Sequence, residues 1–399
     1  MKYHLLDGGK LGMEMKTDKD KLQKLAELMN EQSETPFMIT DDLLYIFDAA
    51  LEPEEVDFLL KMGGGNLTRG DVEKRVGLPK KEFDRLLETL LNKGHITEIE
   101  AGPGEEPYLH VMSIFPGWFE HYLMGGADTP DRREFARRVS AYFSAAQAVP
   151  PDVLNMILKD VSPHRSVATV NPTSSRLIEV NKPLPPQVNE VYPAHSILNI
   201  LEQLPDDEVI SVGHCFCRQQ RKLDGDPCRM HLPDESCIAL SPGAEHIIKR
   251  GLGRRISKQE AIDLVKEAEK KGAIHQVGRL VPLKDFKAKY AVDIICNCCW
   301  DCCGVIGNYS RGNTPFMLKS FYIAEMPDEN ACNGCGECET YCPVRAIAVD
   351  GYGIARIDDK LCCGCGLCVR HCPEQAVRLK PFERNVFLPV LESGKRRIE

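Results

Sequence analysis

Eighteen cysteines carry the chemistry available to this 399-residue chain, and none precedes Cys215. Eight of them form two matching runs, Cys332-x2-Cys335-x2-Cys338-x3-Cys342-Pro343 and Cys362-x2-Cys365-x2-Cys368-x3-Cys372-Pro373. The runs are thirty residues apart, as are Gly334 and Gly364, Gly336 and Gly366, and Ala346 and Ala376. Thiolate sulfur is a soft ligand that selects zinc or iron–sulfur clusters. Three cysteines at x2 intervals wrap a tight loop around one cube, and the glycines admit positive φ and close approach of backbone N–H groups. The proline after the fourth cysteine sets the chain direction. A pair of zinc knuckles is the competing reading, and two complete repeats with both prolines argue against it. Cys363 lies outside the spacing and reads as a non-ligand.

These residues resemble the bacterial dicluster ferredoxins over roughly Ile323 to Leu379. The resemblance implies two 4Fe–4S clusters with interleaved ligands. Carried over by position, one takes Cys332, Cys335, Cys338 and Cys372, the other Cys362, Cys365, Cys368 and Cys342.

Nine further cysteines stand upstream in two groups. Cys215 and Cys217 follow a predicted strand as His214-Cys215-Phe216-Cys217-Arg218, with Cys228 and Cys237 beyond them. The second group is Cys296-Asn297-Cys298-Cys299-Trp300-Asp301-Cys302-Cys303. Within it Cys296-x2-Cys299-x2-Cys302 has the spacing of a cubane loop, but Ile306 stands where the fourth cysteine would fall. A fourth ligand from the first group would tie strand Val209–Gly213 to the loop Ile295–Gly304. Alternatively Cys215, Cys217, Cys228 and Cys237 hold a tetrahedral zinc, with His214 or His231 substituting for one of them. The vicinal pairs Cys298-Cys299 and Cys302-Cys303 would also suit a redox-active dithiol. Buried free cysteine is the bland reading, and it accounts poorly for nine in two groups. An additional Fe–S centre is favoured over zinc because the chain already handles clusters. With Glu235-Ser236-Cys237 and the helix start Arg254 to Ala261, this region resembles multi-cysteine ferredoxin-domain electron-transfer proteins of anaerobes.

Positioning these residues calls for an α+β, multidomain chain. A helical segment (1–40), with a helix from Asp18 to Asn30, leads into a winged-helix-like domain (41–149). There Glu54–Met62, Thr68–Val76 and Pro79–Lys93 read as helices, and Ile96–Ile99 and Tyr108–Ile114 as a ribbon. Trp118 and Phe119 belong to an apolar run that reads as core, and Thr129-Pro130 opens a helix through about Ala146. A cysteine-rich α/β domain (150–321) starts with a connector through Pro183, Pro185 and Pro186. It has strands at Ser166–Val170 and Val209–Gly213, and a helix capped by Ser257 with Glu260 completing a capping box. His195, His246 and His275 are isolated and read as structural. The dicluster ferredoxin domain (322–380) and a solvated tail (381–399) ending in Lys395-Arg396-Arg397 follow.

Composition bounds the function. The formal net charge is −9 and 43% of residues are hydrophobic, as in ordinary globular proteins. Residues 51–100 hold eight Lys/Arg against eleven Asp/Glu, so nucleic acid is not the expected partner. The N-terminus MKYHLLDGGKLGMEMK carries no apolar stretch of signal length, and no run approaches a membrane span. Thiols packed as CC and CxxC then read as metal ligands in a cytoplasmic, oxygen-poor setting. No flavin or nicotinamide fingerprint is present. The expected role is single-electron transfer to or from a partner reductase or dehydrogenase, with a homodimer as one arrangement. A redox-sensing winged-helix regulator, or an oxidoreductase with substrate at a middle cluster, are the alternatives.

Overall fold

A computed structural model describes the strands His4–Leu6 and Lys10–Gly12 together with residues 14–32, 37–99, 104–145, 194–278, 294–313 and 316–388. The expected strand Ser166–Val170, the proline connector and the basic tail end lie outside these residues. Among the described residues no helix is long and apolar enough to cross a membrane.

The N-terminal part is mainly helical: α1 (Lys19–Glu31), α2 (Asp41–Ala50), α3 (Pro53–Met62), α4 (Arg69–Val76) and α5 (Lys80–Asn92). Local chemistry sets their ends. Asp18 and Thr40 accept bonds from first-turn N–H groups, and Thr68 forms a reciprocal capping box with Asp71. A ribbon of β1 (Ile96–Ile99) and β2 (Tyr108–Val111) follows, and Leu67 bridges Leu109 at its edge. The second ribbon strand is shorter than its apolar run implied, because Ile114–Trp118 turns into a π-helical segment continuous with α6 (Phe119–Met124). Trp118 and Phe119 are fully buried among Phe47, Phe135 and Tyr122, as core. Helix α7 (Pro130–Ala145) closes this part against α2.

The middle part is built on a five-stranded sheet whose pairings are all antiparallel. Its strands are β3 (Ile210–His214), β4 (Glu235–Leu240), β5 (Gly253–Ile256), β6 (Ile274–Gly278) and β7 (Ile294–Cys298), in the order β5-β3-β4-β7-β6. Ile210, Val212, Ile238, Ile256, Val277 and Ile295 share one apolar core with Ile197, Leu201, Ala261 and Val265. These last four lie on α8 (Ala194–Gln203) and α11 (Lys258–Lys270). The alternation of side chains along a strand therefore sends Cys237, Ile294, Cys296 and Cys298 to the opposite face. Ser257 does cap α11, accepting from Glu260 N at 3.1 Å. The return arm of the expected box is missing, because the Glu260 carboxylate pairs with Arg254 at 2.8 Å.

Helix α9 (Phe216–Leu223) crosses between the two parts. Phe216, Cys217 and Leu223 belong to the N-terminal core, with Phe216 against Phe115 and Phe119. Gln220 Nε2 donates to Ala136 O at 2.7 Å and to Ser140 Oγ at 2.8 Å. From α10 (Gly243–Lys249) the chain reaches Arg250, which pairs with Glu88 at 2.8 Å and Glu98 at 2.5 Å.

The C-terminal part repeats itself. After α12 (Ile306–Ser310), a long strand β8 (Phe316–Glu325) pairs with β11 (Arg378–Leu388) and brackets the module. The tail expected from residue 381 is thus strand as far as Leu388, in keeping with its Val386-Phe387-Leu388 run. Inside lie α13 (Glu337–Tyr341), β9 (Ile347–Val349), β10 (Ala355–Ile357) and α14 (Leu367–Arg370).

Candidate metal centre

The C-terminal repeat is a structural one. Gly336 and Gly366 both precede a short helix with φ of 78° and 75°. Arg345 and Gln375, also thirty apart, share positive φ values of 54° and 52°. Tyr341 and His371 occupy equivalent places and stack at 3.5 Å with 5° between planes, where the two halves meet. Cys332, Cys335 and Cys338 of the first run and Cys372 of the second line one small cavity. Gly334 makes that loop possible: a Cβ there would lie 2.5 Å from Gly353 O, and its φ is +71°.

The other four cysteines, Cys342, Cys362, Cys365 and Cys368, are all buried. Burial pushes the Cys342 thiol up to about 12, with Cys365 and Cys362 close enough to add to the effect. Backbone N–H groups serve the sulfurs alike in both halves. Ala346 N donates to Cys342 Sγ at 3.1 Å and Ala376 N to Cys372 Sγ at 3.3 Å. The donors fit cubane clusters: soft sulfur, a cavity lined from both runs, and amide hydrogens directed at sulfur. Cys363 is buried beside Cys365.

The middle cysteines divide in an unexpected way. Cys228, Cys299 and Cys302 place their sulfurs within 4.8 Å of one another. The Cys228–Cys299 and Cys299–Cys302 separations are 3.6 and 3.2 Å. Sulfurs bound at ~2.3 Å around one tetrahedral ion stand about 3.8 Å apart, so these three form the face of such a site. Cys302 N donates to Cys299 Sγ at 3.2 Å. Contacts from Cys299 and Cys302 hold the Cys228 thiol far below its usual range. Neither His214 nor His231 joins this group.

The segments that carry the remaining six are drawn together by polar contacts: Arg218 donates to Ser236 Oγ at 2.6 Å and to Asn297 O at 3.3 Å, and Asn297 Nδ2 donates to Ser236 O at 2.9 Å. Sheet register explains part of this, since Cys237 and Cys296 are directly opposed on neighbouring strands. Gly304 N donates to Cys217 Sγ at 3.0 Å.

The structure brings together only part of each candidate set. Of the cubane-spaced Cys296, Cys299 and Cys302, the last two share the site with Cys228, and Cys296 lies on β7. The quartet Cys215, Cys217, Cys228 and Cys237 is split, with Cys228 carried off by the segment after α9. Each vicinal pair is divided as well: Cys298 and Cys303 go to one group, Cys299 and Cys302 to the other. Cys228 of the first group meets Cys299 and Cys302 of the loop after β7 within 4.8 Å.

Sequence reasoning passed over the polar residues that hold these groups. Asp301 is 1% exposed and braces the trio. It accepts from Arg229 N at 2.6 Å, Arg229 Nη1 at 2.7 Å and Arg311 Nη2 at 3.0 Å, while Arg311 Nη1 donates to its backbone carbonyl. Arg218 is 2% exposed and donates to Ser236 Oγ at 2.6 Å, to Asn297 O at 3.3 Å and to Pro233 O. Burial alone would lower its pKa, yet the sulfurs of Cys215, Cys302, Cys299 and Cys228 keep it raised. Its place immediately after Cys-x-Cys is the only sequence signal it gives. His275 is buried against Asn297 Oδ1 at 2.7 Å, a packing role as expected.

Residues 331–376 match the family described as the 4Fe-4S dicluster domain. No curated protein and no solved structure matches the chain. The C-terminal part of this protein is therefore a dicluster ferredoxin domain, joined to a middle part whose cysteines offer a further metal site.

Proposed function

We propose that the chain is an iron–sulfur electron-transfer protein, passing single electrons through two ferredoxin-type 4Fe–4S clusters and a further middle centre to or from a partner oxidoreductase. The carrying observation is the cavity lined by three cysteines of one run and one of the other. Cys332, Cys335, Cys338 and Cys372 hold the first cluster, and Cys362, Cys365, Cys368 and Cys342 the second. Cys228, Cys299 and Cys302 hold the middle centre. Such clusters exchange one electron at a time, at potentials set by hydrogen bonds to sulfur, charge and burial.

Exposure gives the pathway a direction in space. Cys335 is exposed, whereas every cysteine of the second set is buried. A redox partner thus approaches the first set, where Tyr352 also stands 89% exposed beside Gly353. The front end has the element order of a winged helix. Of the cations on or beside α5, Lys80 pairs with Glu73 and Asp84, Arg85 with Glu54, and Lys93 with Glu55. That favours protein contact over phosphate binding.

Anaerobic iron and acid-labile sulfide analysis with EPR of the reduced protein tests this reading. Two ferredoxin-type signals are expected, with metal beyond the about eight irons of two cubes. One signal, or iron near four per chain, overturns the dicluster assignment. No metal beyond the eight irons overturns the middle centre.

A further inference from the structure

We propose that Cys215, Cys217, Cys237, Cys296, Cys298 and Cys303 form a second, separate iron–sulfur centre of the middle domain, between the ferredoxin domain and the Cys228–Cys299–Cys302 site. The inference relies on the electron-transfer reading for its iron chemistry, and adds a centre which that reading does not require.

Four observations converge. First, Cys228, Cys299 and Cys302 share one site, while the segments bearing the other six, here the string, are drawn together by Arg218 on Ser236 Oγ and Asn297 O, by Gly304 N on Cys217 Sγ, and by the pairing of Cys237 with Cys296. Second, six sulfur donors are more than the four that an iron–sulfur cluster requires, so the string can supply a full ligand set without drawing on the trio. Third, Cys298 and Cys303 lie in the same buried cluster as Cys342, Cys362, Cys365 and Cys368 of the ferredoxin domain. Ser310 Oγ donates to Pro343 O at 3.4 Å across that junction. Cys298 and Cys303 therefore bring one end of the six-cysteine group to the inner ferredoxin cysteines.

The fourth observation is Arg218. A guanidinium does not lose its proton in a protein, and burying it calls for compensating negative charge. Among the described residues its donors reach only neutral oxygens, and Nε has no partner. The groups around it are Cys215 of the string and Cys302, Cys299 and Cys228 of the trio. Neutral thiols would leave the cation uncompensated, whereas metal-bound thiolates on both sides supply the missing charge. Arg218 sits as a positioning residue between two anionic centres and raises the reduction potential of each.

The full chain, purified anaerobically, decides the matter by metal and sulfide analysis and Mössbauer spectroscopy of iron-enriched protein. The variants are Cys237→Ser with Cys303→Ser, and Cys228→Ser with Cys299→Ser. The first pair should lose iron and sulfide while keeping the ferredoxin EPR signals and the metal of the trio; the second should lose only the trio's metal. The inference falls if both pairs remove the same metal, or if the first removes none. Loss of the ferredoxin signals from the unmodified chain would instead sink the parent reading. If a cysteine variant fails to fold, the unmodified chain still answers: iron and sulfide no higher than two cubes plus the trio's metal overturns the extra centre. Arg218→Gln should shift both middle centres to more negative potential, with Arg218→Lys close to the unmodified chain. Equal behaviour of Gln and Lys refutes the role given to the charge.

Discussion

Replacing Asp301 by Asn tests how the three-cysteine site is held together. The carboxylate is the strut between two segments, one carrying Cys228 beside Arg229 and one carrying Cys299 and Cys302. Three nitrogens approach it at 2.6, 2.7 and 3.0 Å. A unit charge pair at ~4 Å is worth about 4 kcal/mol where the effective dielectric constant is ~20. The Arg229 side chain is 48% exposed, so its share falls towards the ~1 kcal/mol of a surface pair. The Arg311 side chain is 13% exposed and keeps more of it. Removing one partner of a buried pair costs about 3–5 kcal/mol, and Asn retains the shape and one acceptor. A net loss of about 2–3 kcal/mol follows, which weakens metal binding at the trio roughly 30- to 150-fold, near the range for residues that orient metal ligands. Chelator competition followed by metal analysis measures this directly, with the ferredoxin EPR signals as an internal control. Unchanged affinity in a folded Asn variant would refute the strut. Equal loss of the ferredoxin clusters would show that Asp301 acts on the whole fold instead.

Cys363→Ala should leave iron, sulfide and both ferredoxin signals unchanged, since Cys363 lies outside the eight proposed ligands; loss of either signal would redraw the ligand set. Gly334→Ala should selectively destabilise the cluster of Cys332, Cys335, Cys338 and Cys372, because the added Cβ meets Gly353 O at 2.5 Å, and EPR after mild oxidation would show that cluster disappearing first. His95 is 0% exposed between Trp118 and Tyr122, and burial holds its pKa well below the usual histidine range. The unfolded chain takes up a proton near pH 6.5 that the folded chain refuses, so stability is present above that pH and falls as pH drops below it. The slope is about 1.4 kcal/mol per pH unit for one proton. Urea titrations of the full chain at pH 7 and pH 5 should show it, and His95→Gln should remove one proton's share of the slope, the remainder coming from His110, His121, His246, His275 and His371, which burial also holds low.

The ferredoxin repeat was legible because its function is written in local spacing: three cysteines per loop and glycines where φ is positive. Four of the first five helices were legible for a similar reason, since a cap such as Thr68 acts within a few residues, whereas α2 (Asp41–Ala50) was not anticipated. The middle cysteines were not, because their grouping is a tertiary fact. Cys237 meets Cys296 through strand order, and Cys228 joins Cys299 across 71 residues of chain. Sequence spacing pointed to Cys296-x2-Cys299-x2-Cys302, yet an extended strand that turns into a loop after Cys298 sends those residues to different places. Asp301 and Arg218 gave no periodic signal, and their importance rests on burial, which composition does not reveal.

Helix α9 also limits how this protein could have been assembled or can be taken apart. Burying a Phe or Leu side chain contributes about 1.5–3 kcal/mol, and Phe216 and Leu223 make that contribution inside the N-terminal core, not their own. Cys215, Cys217 and Arg218 are borne on or beside the same helix. A fragment beginning after residue 150 would present this apolar helix to water and leave the Cys-x-Cys segment without its backing. The front end is then a mould against which the cysteine-bearing helix sets, and the N-terminal and middle parts are inherited together or not at all.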